Sequence, residues 1–303
     1  MQLLEKLIHI HAPSGNETAM TEFLLNYVTE NSGGWKVHPA LFYGDGFQNC
    51  IVMVFGKPTT AVFAHIDSIG FTVRYKNELV KIGGPHIEQG IKLTGTDSKG
   101  KIECVLAADE DENIKCEFDR EIDRGTDLTF KPNFRENENF IQANYLDNRL
   151  GVWTALRLAE TLENGAIVFS CWEEHGGGSA GYLAKFLYEK YQVKKALICD
   201  ITWITEGVTH GEGVVVSMRD MGIPRRVFVD KIISILKSAT ILFQLEVEKS
   251  GGSDGTELQK IPYPIDWCFV GAAEDFVHSP NEKVHKKDIE SMLEAYRILM
   301  KEL

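Results

Sequence analysis

Long apolar runs are missing from this chain of 303 residues. No stretch approaches the roughly 20 apolar residues that a membrane helix needs. Basic residues are scarce as well: 32 Lys and Arg stand against 44 Asp and Glu, a formal net charge of −12. That balance disfavours nucleic acid or an anionic membrane as the main partner. The 6 cysteines include no Cys-x-x-Cys pair, which excludes a zinc knuckle or a dithiol redox motif. Cys199 and Cys268 lie in apolar runs and read as buried, reduced thiols. The opening Met-Gln-Leu-Leu-Glu-Lys-Leu carries an early acid and no long apolar core, unlike a signal peptide. No internal repeat and no low-complexity segment interrupts the chain. A cytoplasmic enzyme is the expectation.

What is present is an ordinary globular composition, 44% hydrophobic and 25% charged. The length allows one large α/β domain and a small satellite. Leu3, Leu4, Leu7 and Ile8 fall at helical spacing before Pro13-Ser14-Gly15 breaks the pattern. Met20, Phe23, Leu24, Tyr27 and Val28 mark a second amphipathic helix. Residues 51–55 and 60–64 are short β-branched and aromatic runs, read as buried strands. From 71 to 140 only strand-like pieces appear, at 71–75, 91–93, 101–106 and 127–130, separated by Gly, Asp and Asn turns. This segment reads as an inserted β-rich domain. The remaining residues, 1–70 and 141–303, form the main domain. There, helices over 149–162, 179–191, 230–239 and 287–303 alternate with strands over 166–172, 196–199, 243–248 and 266–270. Such alternation implies a mostly parallel sheet covered on both faces.

Ligands of open α/β sheets sit outside the carboxyl ends of the strands, and acidic or histidine clusters fall at such places. The first is Ala64-His65-Ile66-Asp67. Strand alternation puts His65 and Asp67 on one side, where the carboxylate can support the imidazole. The second is Trp172-Glu173-Glu174-His175-Gly176. Neighbouring strand residues point apart, so one glutamate can hold a cation while the other faces its water. Asp200 ends the run Ile198-Cys199-Asp200, and His278 precedes Ser279-Pro280. Asp147 opens a helical run, where a plain N-cap is the competing reading. His65-x-Asp67 can equally be structural, and the glutamate pair can be a solvated turn. His175 is an extra ligand, a substrate contact or a loop histidine. His9, His11, His38, His86, His210 and His285 read as structural or surface residues. Jointly the set offers imidazoles and carboxylates at one edge of one sheet, a mixture that suits zinc and also cobalt or manganese.

Five separated motifs resemble the glutamyl aminopeptidase and tetrahedral aminopeptidase family of dinuclear metallopeptidases. They are His65-Ile66-Asp67-Ser68-Ile69-Gly70-Phe71, Leu146-Asp147-Asn148-Arg149-Leu150-Gly151, Glu173-Glu174-x-Gly, Ala196 to Asp200, and His278-Ser279-Pro280-x-Glu282. Gly251-Gly252-Ser253-Asp254 is similar to a loop beside that family's active site. Ser68 departs from the family's usual acid, and His175 from its usual apolar residue. The resemblance implies a three-layer α/β/α mixed sheet of zinc-peptidase type with an inserted small β-rich domain. It implies two divalent cations bridged by Asp147, with His65 and Asp200 completing one site and Glu174 and His278 the other. Glu173 would be the general base and Asp67 the partner of His65. Short peptides would be the substrates, and the family's assembly makes a homo-oligomer an expectation. Rival readings are a deacylase or carboxypeptidase acting on N-acyl amino acids, and a non-catalytic binding protein on the same fold.

Overall fold

The computed structural model describes residues 1–109 and 113–303. Two sheets organise them. The large sheet runs in the order Ala40–Gly44, Gln48–Phe55, Gly165–Ser170, Thr60–His65, Lys195–Ile198, Asp266–Asp275, Glu282–His285, Phe140–Ala143 and Arg135–Glu136. Its centre is parallel: Gly165–Ser170 and Lys195–Ile198 flank Thr60–His65, and Asp266–Asp275 follows beside Lys195–Ile198. Every residue of Thr60–His65 and Gly165–Ser170 is buried, as a parallel strand sandwiched between helices requires. The outer strands run antiparallel, so the sheet is mixed.

Helix Leu146–Ala159 packs on Thr60–His65, on Gln2–Ile8 and on Lys286–Glu302. Of its residues only Arg157 escapes burial, which makes it apolar all round and central to its layer. Lys286–Glu302 instead buries Ile289, Met292, Tyr296 and Leu299 along one stripe. Ser179–Tyr191 and Asp254–Leu258 pack on each other and on the central strands, forming the second helical layer. The fold is therefore a three-layer α/β/α arrangement. Among the described residues no helix is long and apolar enough to cross a membrane.

The second sheet has the order Leu79–Ile82, Gly70–Val73, Asp127–Phe130, Lys92–Asp97, Gly100–Ala108 and Ile114–Glu117. It encloses its own core around Phe71, Leu93, Leu106, Leu128 and Phe130. Arg135, Glu136 and Phe140, placed by sequence at the end of the insert, pair with the large sheet instead. Tyr145 joins the two bodies. Its ring stacks on Phe130 at 5.9 Å, its hydroxyl accepts the Phe130 N–H, and its backbone opens helix Leu146–Ala159.

Strands Ala40–Gly44, Ile201–Trp203, Val214–Arg219 and Glu282–His285 escape the sequence reading. Most are too short to display alternation, and Ala40–Gly44 is a half-exposed edge. The run expected over 166–172 stops at Ser170, because Trp172 adopts a left-handed conformation (φ 63°).

Gly151 permits the closest approach of helix to sheet. A Cβ there would lie 2.1 Å from the Cys199 carbonyl and 2.2 Å from Asn148 Oδ1. Gly151→Ala is expected to destabilise the protein by about 1–3 kcal/mol through overpacking. The check is the midpoint of chemical denaturation, and an unchanged midpoint refutes the close approach.

Candidate metal centre

Four neighbouring parallel strands deliver their carboxyl ends to one edge of the large sheet, the position where such sheets bind ligands. His65 is the last residue of Thr60–His65, Asp200 follows Lys195–Ile198, Glu173 and Glu174 follow Gly165–Ser170, and His278 follows Asp266–Asp275. Asp147 comes from the start of helix Leu146–Ala159. Tyr145, Trp172, Phe276 and His278 all have positive φ, between 61° and 64°. These non-glycine residues hold sharp turns at a cost of about 1–3 kcal/mol each, and the turns swing the side chains beyond the strand ends.

All these side chains meet. Asp147 lies between the two imidazoles: its Oδ1 is 3.1 Å from His65 Nε2, and its Oδ2 is 3.4 Å from His278 Nε2. Asp200 Oδ2 stands 3.5 Å from His65 Nε2, and Glu174 Oε2 stands 3.1 Å from His278 Nε2. Glu173 Oε2 is 4.0 Å from His65 Nε2. One ligand atom each from His65, Asp147 and Glu174 falls within a common 4.8 Å.

The far side of each ring is also committed. Asp67 Oδ1 sits 3.4 Å from His65 Nδ1, and the Gly84 carbonyl accepts His278 Nδ1–H at 3.2 Å. A proton held at Nδ1 leaves Nε2 as the nitrogen available to a cation, the usual orientation of a metal-ligating histidine; with no cation present, the Nε2–H of each ring faces the carboxylates. Asp67 is itself fixed by Ser14 Oγ–H at 2.6 Å and by the Glu173 and Glu174 N–H groups at 3.2 Å each. One buried carboxylate therefore aligns both an imidazole and the backbone of the glutamate pair.

Electrostatics make this cluster costly as it stands. Burial, reinforced by neighbouring carboxylates, pushes Glu173 well above the usual range, and burial beside Asp147 raises Glu174 to about 7. Burial likewise raises Asp200, and Asp254 to about 7. Burial opposes a charge on the rings as well, yet hydrogen bonds to Asp147 and Glu174 hold His278 up at about 12. His65 is held well above its ordinary value against burial, chiefly by Asp200 and Asp147. Asp147 is drawn well below its ordinary value by both imidazoles, despite burial. Glu174 Oε1 is buried without a hydrogen-bond partner among the described residues. An orphaned carboxylate oxygen inside a nest of oxygen and imidazole donors fits divalent cations.

Two readings of the sequence need correction. Asp147 is not an N-cap: it and Asn148 lie outside helical φ/ψ, the Gly151 N–H donates to Asn148 Oδ1 at 2.8 Å, and the Asp147 N–H donates to Glu282 Oε2 at 3.2 Å. Glu173 and Glu174 do not diverge by strand alternation. They lie in a short 3-10 turn, Glu173–His175, which sends them to different neighbours. His175 is exposed, and its Nδ1 accepts the Gly83 N–H at 3.0 Å, apart from the cluster. Of the other histidines, His9 caps its own helix, His11 meets Thr129, and His210 pairs with Asp275 at 3.0 Å.

Several residues of the site receive no role from the sequence, although Asn148, Arg149 and Glu282 lie inside its motifs. Ser14 reads only as part of a helix break. Arg149, wholly buried, donates Nη1–H to the Ile66 carbonyl and is depressed by burial to about 10. Glu274 and Glu282 lie buried behind Asp147, and burial pushes both well up. Asn148 ties the helix start to the strand end through Cys199 O at 2.8 Å.

The centre opens into a cavity of about 290 Å³ lined by Asp147, Glu173, Glu174, Asp200 and His278 on its inner side. Solved structures share this architecture over the full chain. The TET1 peptidase of Pyrococcus horikoshii superposes with a TM-score of 0.82 at 21% identity, covering 100% of this chain and 99% of its own. An aminopeptidase from Desulfurococcus kamchatkensis gives 0.87 at 19%, covering 100% and 94%. A TET aminopeptidase from a marine sediment Thaumarchaeota archaeon gives 0.88 at 16%, covering 100% and 96%. Likeness at such identities establishes the fold. The sequence itself supplies the rest, because the family model of the M42 glutamyl aminopeptidases matches residues 103–294. That span holds Asp147, the glutamate pair, Asp200 and His278, and it makes the chain a member of the M42 glutamyl aminopeptidase family, a metal-dependent aminopeptidase.

Proposed function

We propose that two divalent cations sit at this centre, with Asp147 bridging them, His65 and Asp200 completing one site, and Glu174 and His278 the other. The observation that carries this reading is the Asp147 carboxylate, one oxygen toward each imidazole. Zinc is the first candidate, with cobalt and manganese next, since the donors mix imidazole with carboxylate. When bound, the pair of cations supplies Lewis acidity toward a peptide carbonyl and acidifies water. Glu173 is the general base. It lines the cavity without serving either cation, so its carboxylate is free to carry a proton in mid-reaction. It takes that proton from water as the water attacks the carbonyl, then returns it to the leaving amine. Asp67 keeps His65 oriented and holds the Glu173 backbone in register. A free α-amino group meets the remaining carboxylates, which restricts cleavage of short peptides to their N-terminal residue.

In this reading residues 1–70 and 141–303 are the catalytic body and 71–140 the insert, whose last residues, from Arg135, return to the large sheet. The six cysteines all carry free thiols, which supports a reducing, cytoplasmic setting. A homo-oligomer is also part of the reading. Strand Phe243–Val247 pairs on one side only among the described strands, and Leu242, Leu245 and Val247 stand 52%, 46% and 67% exposed. An open, apolar edge of this kind favours a second copy. The P. horikoshii relative can assemble into a tetrahedron or a large octahedral shell.

Glu173→Gln should retain both metals yet lose about 10²–10⁴ in kcat, read by elemental analysis beside aminoacyl-anilide hydrolysis. Wild-type turnover in that variant removes Glu173 from its role. Zinc added to chelator-stripped protein should stabilise it by about 2.7 kcal/mol at a hundred times Kd, and Asp147→Asn should abolish the effect. A thermal shift that survives in Asp147→Asn argues against the bridge. Light scattering should find the wild type multimeric and Val247→Asp smaller; a monomeric wild type ends the oligomer reading.

A further inference from the structure

The cavity does not end at the metal centre. Strands Val214–Arg219 and Phe243–Val247, paired in parallel with Ser217 opposite Glu246, carry Asp220, Glu246 and Glu248 to its outer wall. Asp220 and Glu246 are 8% and 3% exposed. Each has neutral hydrogen-bond donors: Gly222 N–H gives to Asp220 Oδ1 at 2.5 Å, and Thr202 Oγ–H gives to Glu246 Oε1. Among the described residues no Lys or Arg lines the cavity. Arg219, beside Asp220, directs its Nε–H to the Asp220 main-chain carbonyl at 3.3 Å and stays outside the lining. Trp203 and Phe269 add apolar surface to the lining of the same cavity.

Charge counting separates the two ends. On the dinuclear reading, Asp147, Glu173, Glu174 and Asp200 carry four negative charges against four positive charges on two cations. Of the outer acids, Asp220 feels the charge of Arg219, and no cation of the centre is assigned to Glu246 or Glu248. Burial pushes the Asp220 and Glu246 carboxyls upward, the mark of carboxylates that an incoming cation would relieve. An aminopeptidase must place the side chain of the residue it removes next to its catalytic centre, so this wall meets substrate whatever the peptide.

We propose that the pocket formed by Asp220, Glu246 and Glu248 selects peptides whose N-terminal residue is basic, lysine or arginine. The methylene stem lies along Trp203 and Phe269, as long cationic side chains cover apolar surface while their heads stay polar. The ammonium or guanidinium head meets the three carboxylates. An acidic N-terminal side chain is repelled by the same wall. The proposal rests on the aminopeptidase centre described above and adds the substrate class to it.

The test compares kcat/KM for Lys-, Arg-, norleucyl- and Glu-p-nitroanilides on the metal-loaded wild type. Norleucine matches the stem of lysine without its charge. Lys and Arg should exceed norleucine by about tenfold or more, with Glu lowest. Glu248→Gln and Glu246→Gln should shrink the Lys-to-norleucine ratio, and Glu248→Lys should bring it to one or below. Ratios taken on one preparation are insensitive to partial unfolding. Norleucine or Glu hydrolysed as well as Lys overturns the proposal and leaves the aminopeptidase centre standing, as does a ratio that none of the substitutions moves. Failure to cleave any of the four anilides sinks the centre and the proposal together.

Discussion

Mutual repulsion among buried carboxylates is the constraint around which this protein is built. Asp67, Asp147, Asp200, Asp254, Glu274 and Glu282 are all buried at one edge of the large sheet, with Glu173 and Glu174 beside them. The rings of His65 and His278 and the guanidinium of Arg149 are too few to balance them. Confined negative charge is costly in a low-dielectric interior unless cations or proton donors are near. The fold accepts this cost because the acids sit on its most rigid parts, the ends of fully buried parallel strands and a helix packed against them.

Rigidity at that edge is supplied by polar groups rather than by the apolar core alone. Asp67 takes hydrogen bonds from Ser14 and from the Glu173 and Glu174 amides, so the N-terminal loop, the end of strand Thr60–His65 and the Glu173–His175 turn share one anchor. Asn148 performs a similar task between helix and strand. Such supports hold the imidazole and carboxylate groups in place, as the partners of metal-ligating side chains do.

Much of this was legible in the sequence, for reasons that differ by residue. The buried strands read as continuous apolar runs, so the positions just after them stand out, and His65, Asp200 and the glutamate pair are found that way. Asp147 was harder. A carboxylate opening a helix has an ordinary role as a cap, and only the left-handed Tyr145 and the contact with Glu282 distinguish it. Ser14, Glu274 and Arg149 act through partners far away in the chain, which local pattern does not reveal. The acidic outer wall was invisible for a related reason. Asp220, Glu246 and Glu248 come from two short strands, of which Val214–Arg219 was not recognised, and only their parallel pairing makes them neighbours.

The loop at residues 83–86 ties the inserted sheet to the chemistry. Its Gly84 carbonyl holds His278 Nδ1–H, its His86 N–H is bonded to the His278 carbonyl, and its Gly83 N–H reaches His175. The insert thus steadies the His278 ring as well as forming a separate lobe. Trimming or exchanging it between relatives would have to preserve this short contact, so the lobe can drift in size and surface while its inner tip stays pinned.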